Sequence, residues 1–287
     1  MALVEFPKSA PQGPDLDRRS VLSFRRTIYS HFRDQGRTFP WRATQDPYAI
    51  LVSEIMLQQT GTERVLAKYG AFLQQFPDFA ALAAAPLQEV LAVWQGLGYN
   101  RRVLALKRLA QQVVAEHGGR LPREEAALRT LPGIGPATAG ALAAFAFNRP
   151  AVFLETNIRR VFLHFFFAGR TAVEDRQILP LAAQTLDRRR PRQWYSALMD
   201  YGAWLKNQGP NPNHRSRHYA RQGPFPGSDR ELRGLILKTL LAHAPLTWED
   251  LVRLVGREPE RVRKQASLLE AEGFLDRQGA RLRIASR

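Results

Sequence analysis

The sequence predicts a mostly α-helical protein: a large helical domain followed by a small winged helix-turn-helix domain at the C-terminal end. Three observations predict it. Apolar residues recur with helical periodicity across residues 20–202, and strand-like alternation is nearly absent there. A Leu131-Pro132-Gly133-Ile134-Gly135 turn sits between two helical stretches. Residues 229–287 then read as three helices and a short hairpin.

Taken in order, residues 1–19 carry Pro, Gly, Asp and Ser and read as a flexible lead-in without a signal-peptide core. An amphipathic helix is predicted over 20–35. Asp46 then acts as N-cap, with Pro47 in the first helical position of a helix running to about Gln59. Helices follow over 62–76, 86–97 and 101–117, the last ended by Gly118-Gly119. A short helix over 124–130 precedes the turn, and 136–147 follows it. Helices over 157–167, 174–186 and 191–204 complete the domain, with Pro180 expected to break or kink the middle one. Residues 206–228 are aperiodic and read as an irregular linker. In the terminal segment, Leu232, Leu235, Ile236, Thr239 and Leu240 form a helical stripe. Thr247 caps a second helix, 259–272 forms a third, and a hairpin turns at Gln278-Gly279-Ala280.

Composition narrows the function. Lys+Arg total 42 against 26 Asp+Glu, a formal charge of +16, and only six of the basic residues are lysine. Such a surplus favours a polyanionic partner, because neutralised phosphates release counterions. With Cys 0, disulfides, thiolate nucleophiles, zinc fingers and thiolate-ligated iron–sulfur clusters are excluded. No apolar stretch approaches the roughly 18 residues that span a membrane.

The turn at 131–135 carries a physical mechanism. Two glycines let the backbone bend sharply and approach another backbone closely. The next helix starts at Pro136, so its free N–H groups and positive dipole end point out of the turn, where a phosphate fits. Small side chains (Ala137, Thr138, Ala139, Gly140, Ala141) allow close approach. Gly133, Gly135 and Thr138 are therefore the candidate DNA-backbone contacts. The carbonyls of Arg129, Leu131 and Ile134 are a candidate seat for a monovalent cation that bridges to phosphate. A plain helix–helix turn is the competing reading.

With these motifs stand Phe39-Pro40-Trp41, Pro47-Tyr48, Ser53-Glu54-Ile55-Met56-Leu57-Gln58-Gln59-Thr60, Gly96-Leu97-Gly98-Tyr99 and Asn157-Ile158-Arg159-Arg160-Val161. Together they resemble the adenine DNA glycosylases that remove adenine mispaired with 8-oxoguanine, within the helix-hairpin-helix glycosylase superfamily that includes endonuclease III. The resemblance covers residues 39–202. It implies a two-lobed fold, with a six-helix barrel lobe at about 47–147 and a second lobe joining 20–46 to 148–205, and a cleft for an extruded base. It implies Glu54 as the acid that protonates the leaving base and Glu155 as the carboxylate that stabilises the developing oxocarbenium ion. Gln59 and Tyr99 become wedge residues in the base stack, and Asn157 a pocket residue. Arg42 and Arg160 are candidates for phosphate or carboxylate contact. The position of the strand-nicking lysine holds Ala137, which implies base removal without β-lyase chemistry. Double-stranded DNA is the expected partner, the protein is expected to be a monomer, and its expected location is the cytoplasm at nucleoid DNA.

The chain departs from the family in three ways. Glu155 stands where the family has aspartate. Residues 206–215 replace the cysteine-rich cluster loop, so polar packing is expected there, and no iron–sulfur cofactor. His214 and His218, spaced i,i+4, lack an acidic or thiol partner for a metal. The segment at 229–287 replaces a larger 8-oxoguanine-recognition domain; Arg261 and Lys264 on its third helix, with Arg257 and Arg263 nearby, are its candidate DNA contacts, and a protein-contact module is the alternative. Adenine in a mispair is thus the first substrate reading. A uracil, thymine or damaged-pyrimidine glycosylase and a non-catalytic DNA-binding protein remain open.

Overall fold

A computed structural model describes residues 15–220 and 222–286. The residues before 15, most of the expected flexible lead-in, lie outside the described residues. The chain forms two compact units, each assembled from separated stretches. Among the described residues no helix is long and apolar enough to cross a membrane.

The first unit contains the described residues of Met1–Ile50 with Arg123–Arg129 and Ile134–Arg221. It begins with α1 (Arg18–Gln35), whose N-cap Asp17 accepts from the Ser20 amide, and α2 (Pro40–Ala43). Helix α3 (Pro47–Leu57) runs from this unit into the second. The second unit contains the described residues of Leu51–Pro122, Thr130–Gly133 and Gln222–Arg287. It builds α4 (Thr62–Gln75), α5 (Phe79–Ala84), α6 (Leu87–Trp94) and α7 (Arg101–His117). Back in the first unit follow α8 (Glu125–Leu128), α9 (Pro136–Phe147), α10 (Thr156–Phe166), α11 (Asp175–Thr185) and α12 (Pro191–Leu205). Thus α9, expected with the barrel lobe, clusters with the first unit.

Phe24 of α1 is the centre of the first unit's core. Its ring meets Phe162 of α10 at 5.6 Å and Trp194 of α12 at 5.8 Å between centroids. Each such fully buried aromatic contributes about 2–3 kcal/mol by leaving water. The second unit's core joins α4 to α6 through Phe72 and Trp94, 5.9 Å apart.

Several elements differ from expectation. Helix α5 was not foreseen: six residues are too few to show a periodicity, and only the Asp78 cap, accepting from the Ala81 amide, marks it. Helix α11 runs through Pro180 unbroken. Pro180 faces solvent, so water can satisfy the carbonyl one turn earlier that loses its N–H partner. The linker is not wholly irregular, since residues Pro212–Arg215 form a 3-10 turn.

The terminal segment forms α13 (Asp229–His243), α14 (Trp248–Val255) and α15 (Pro259–Ala271), then β1 (Leu275–Gln278) paired antiparallel with β2 (Arg281–Ile284). The hairpin turn is Gly279-Ala280, one residue shorter than expected because Gln278 pairs with Arg281, with Gly279 at φ 60°. A bridge from Leu246 to Leu282 adds a third extended partner. The segment shares the second unit with α4–α7. Glu272 accepts from Arg101 of α7 at 2.6 Å and from Arg233 of α13 at 2.5 Å.

Candidate active site

The expected functional residues occur in both units. In the first unit, Glu155 is the N-cap of α10. Its Oε1 accepts from the amides of Asn157 at 2.7 Å and Ile158 at 2.8 Å. Aspartate is the ordinary residue in such a cap. Here the extra methylene of glutamate is absorbed by curling the side chain back over its own helix. Oε2 accepts from Asn157 Nδ2 at 3.2 Å. Burial raises the Glu155 pKa above the usual carboxylate value, against the opposing pull of the two amides, Arg160 and Arg159.

Asn157 cannot present its amide either way round. Its Oδ1 accepts from Arg160 Nη1 at 2.7 Å, and a guanidinium can only donate. That fixes Nδ2 toward Glu155. Arg160 is 4 % exposed. Its guanidinium also donates to the Gly202 carbonyl at 2.6 Å and to Asn211 Oδ1 at 3.1 Å. It therefore turns inward to these groups rather than outward, and the contact it makes is with the amide that orients Glu155. Arg42, likewise, is held within the unit. It donates to both oxygens of Asp200, at 2.8 and 2.9 Å, and Arg37 joins the same carboxylate at 2.7 Å. Burial alone would raise the Asp200 pKa, but the two arginines outweigh it and hold the carboxyl below its usual value.

Two supports of this cluster were not foreseen. Gly202 on α12 lies where any Cβ would stand 2.3 Å from the Asn157 carbonyl oxygen. Only glycine lets α12 approach the start of α10. The linker supplies the other: Asn213, 4 % exposed, donates to the Thr156 carbonyl at 3.0 Å. With Asn211 it makes residues 211–213 a polar buttress for the first turn of α10, where the sequence suggested polar packing. His214 and His218 are exposed, and among the described residues no cluster of His, Cys, Asp or Glu could hold a metal ion.

In the second unit, Glu54 is half-buried on α3, flanked by Val52, Ile55 and Met56, which are closed to water. The helix ends at Leu57, and Gln59 then adopts φ 55°. Tyr99, at the end of the Gly96-Leu97-Gly98-Tyr99 turn, has φ 50°. A left-handed conformation costs a non-glycine residue about 1–2 kcal/mol, so two such wedge candidates require a strong local frame.

Arg102 supplies that frame, and the sequence reading missed it. From the first turn of α7 it donates to the carbonyls of Ile55, Met56, Gln58, Leu97 and Gly98, at 2.5–3.2 Å, and to the Thr60 hydroxyl at 3.0 Å. One guanidinium thus binds the end of α3 to both turns. Burial pushes its pKa down to about 10. The available sequence signal was only its place three residues after Tyr99.

At the hairpin, Gly133 has φ 79°, and a Cβ there would come within 3.0 Å of the Ala105 side chain. Gly135 is the N-cap of α9 and makes no side-chain cap hydrogen bond. Gly135, Pro136 and Ala137 are exposed, while Thr138 is half-buried. On α15, Lys264 is exposed. Arg261 is engaged inside its own segment, by Asp229 at 2.6 Å and the Gly227 carbonyl at 2.7 Å.

Comparison with known proteins identifies the family. The family model described as HhH-GPD superfamily base excision DNA repair protein matches residues 52–181. Over 191 residues, 65% of the chain, there is 34% identity to the adenine DNA glycosylase of Buchnera aphidicola; the chain spans 54% of that relative. Identity to the adenine DNA glycosylase of Mycolicibacterium smegmatis is 34% over 229 residues, 74% of the chain and 77% of the relative. A solved structure described as a thermostable thymine-DNA glycosylase aligns with TM-score 0.61 and 28% identity, over 69% of this chain and 93% of that one.

Proposed function

Because the chain belongs to the HhH-GPD superfamily of base excision DNA repair proteins, we propose that it is a monofunctional DNA glycosylase that removes adenine from a mispair. The observation that carries this reading is Glu54, a half-buried carboxyl on a helix whose neighbouring side chains are closed to water. A carboxyl so placed is a group that can carry a proton to a leaving base.

The chemistry is the one that the family resemblance implies for Glu54 and Glu155. Adenine leaves poorly as an anion. Glu54 gives its proton to N7 as the C1′–N9 bond breaks, and the bonding electron pair goes to the base. Glu155, with one oxygen held by two amides, offers its other oxygen to the positive charge growing on the sugar. Water adds to C1′ and releases a proton, leaving an abasic site. The exposed start of α9 and its glycine hairpin supply N–H donors for a backbone phosphate, and the carbonyls of Arg129, Leu131 and Ile134 are the proposed seat for a bridging monovalent cation. Ala137 cannot form a Schiff base, so the strand stays intact. The terminal three-helix and hairpin segment reads as a winged helix, with Lys264 the better-placed DNA contact, since Arg261 is already paired.

A second reading, excision of thymine or uracil opposite guanine, is favoured by the thymine-DNA glycosylase likeness. A panel of duplexes with single mispairs, treated with the protein and then with alkali, separates the two. Cleavage at A-containing mispairs supports the first, and cleavage at G·T or G·U supports the second. Tight binding without any product removes catalysis.

A further inference from the structure

The two wedge candidates are not met by the barrel helices alone. Arg230, in the first turn of α13, donates from Nη1 to the Tyr99 hydroxyl at 2.7 Å, and its guanidinium lies 5.6 Å from the Tyr99 ring centre. The same guanidinium lies 5.9 Å from the Phe225 ring and donates to the Gly223 carbonyl at 2.8 Å. Gln222 donates to both the Tyr99 hydroxyl and, at 3.3 Å, Gln59 Oε1. Phe225 is 56% exposed, the most open large hydrophobic side chain among the described residues.

An exposed aromatic ring, a planar guanidinium and two strained turn residues thus form one continuous surface within the second unit. Aromatic faces stack bases of any sequence. Arg230 commits one donor each to Tyr99 and to the Gly223 carbonyl, pairs with no carboxylate in these bonds, and keeps three of its five N–H donors for a purine acceptor edge. We propose that Phe225 and Arg230 are specificity-determining residues, which stack on and hydrogen-bond the unpaired purine left opposite an extruded base. The inference rests on the base-extrusion reading above. It gives the segment entering the terminal domain a direct part in reading DNA.

The test uses the full chain and needs no excision. Binding is measured by fluorescence anisotropy, at one salt concentration, to duplexes carrying a tetrahydrofuran abasic analogue opposite each of the four bases. Wild-type protein should favour guanine over the pyrimidines by about 10-fold. Arg230→Ala and Arg230→Lys should both reduce that ratio to within about twofold, since lysine keeps the charge but lacks the fork. Phe225→Ala should weaken every abasic duplex about 10-fold and leave intact duplex unchanged. It should also abolish quenching of 2-aminopurine placed opposite the analogue. Circular dichroism melts confirm that each variant folds. A guanine preference that survives in both Arg230 variants, with quenching retained in Phe225→Ala, overturns the proposal. A wild-type protein that does not distinguish abasic from intact duplex overturns the extrusion reading, and this inference with it.

Discussion

Asn157 donates from Nδ2 to the outer oxygen of Glu155 at 3.2 Å, while its Oδ1 is locked by Arg160 at 2.7 Å. The orientation of the proposed charge-stabilising carboxylate therefore depends on a donor chain that runs back to Gly202 and the linker. Gly202→Ala should break it, because the new Cβ would stand 2.3 Å from the Asn157 carbonyl oxygen. Single-turnover excision should fall about 100-fold, as a displacement near 1 Å costs on that order, while duplex affinity stays within about twofold. A wild-type rate in this variant would show that the start of α10 adjusts freely.

Glu155 has a pKa raised mainly by burial. A carboxyl raised on folding binds its proton more tightly in the native state than in the unfolded chain. Stability therefore falls as pH rises from the unfolded value, 4.5, through the raised native one. Glu155→Gln keeps a capping oxygen and removes the buried charge. It should melt at a higher temperature than wild type at pH 7.5, with the gap closing below pH 4.5, and excise at least 100-fold more slowly. For the wild type, the acid limb of the rate profile should lie above pH 4.5, because the reaction needs the ionised form. Melting curves and rate profiles across pH check both signs.

Arg102→Ala would remove the bonds that join the end of α3 to both turns, although the Ile55, Gln58, Leu97 and Gly98 carbonyls each keep another donor within reach. The expected loss is about 3 kcal/mol, given that water reaches some of them. The unit carrying it should melt roughly 6–12 °C lower. Arg102→Lys should recover less than half, since one ammonium cannot span both turns. An unchanged melting temperature in Arg102→Ala would contradict the framing role.

Ala137 is exposed in the first turn of α9. Borohydride should trap no covalent complex of wild-type protein with abasic DNA. Ala137→Lys should become trappable and nick the strand. Trapping of the wild type would point to another amine and end the monofunctional reading.

Much of this architecture was legible in the chain. Long periodic helices, the Asp46 and Thr247 caps and the terminal hairpin all follow local rules, and the glycine hairpin announced its own turn. What stayed hidden depends on distant partners. Arg102 on a helix looks like an ordinary solvated cation until two turns converge on it. Gly202 in α12 looks like a helix defect until α10 crosses it. Arg42 and Arg160 are legible as candidates for phosphate or carboxylate contact; Arg42 meets the Asp200 carboxylate, whereas burial turns Arg160 to the Asn157 amide. Glu155 is legible as a carboxylate at the start of a helix, but the hold of two amides on one of its oxygens is not.

Glu272 closes on Arg101, 171 residues earlier in the chain, and its carbonyl accepts from Arg108, 164 residues earlier. Contacts of such separation carry a large loop-closure cost before they return anything, which slows folding. During synthesis, α7 must emerge and wait until Glu272 has been made before these partners arrive. The second unit thus completes itself only after the helices of the first have been made. A ribosome that stalls after α12 would release helices with their basic side chains still unpaired, a species open to proteases and to premature association with nucleic acid.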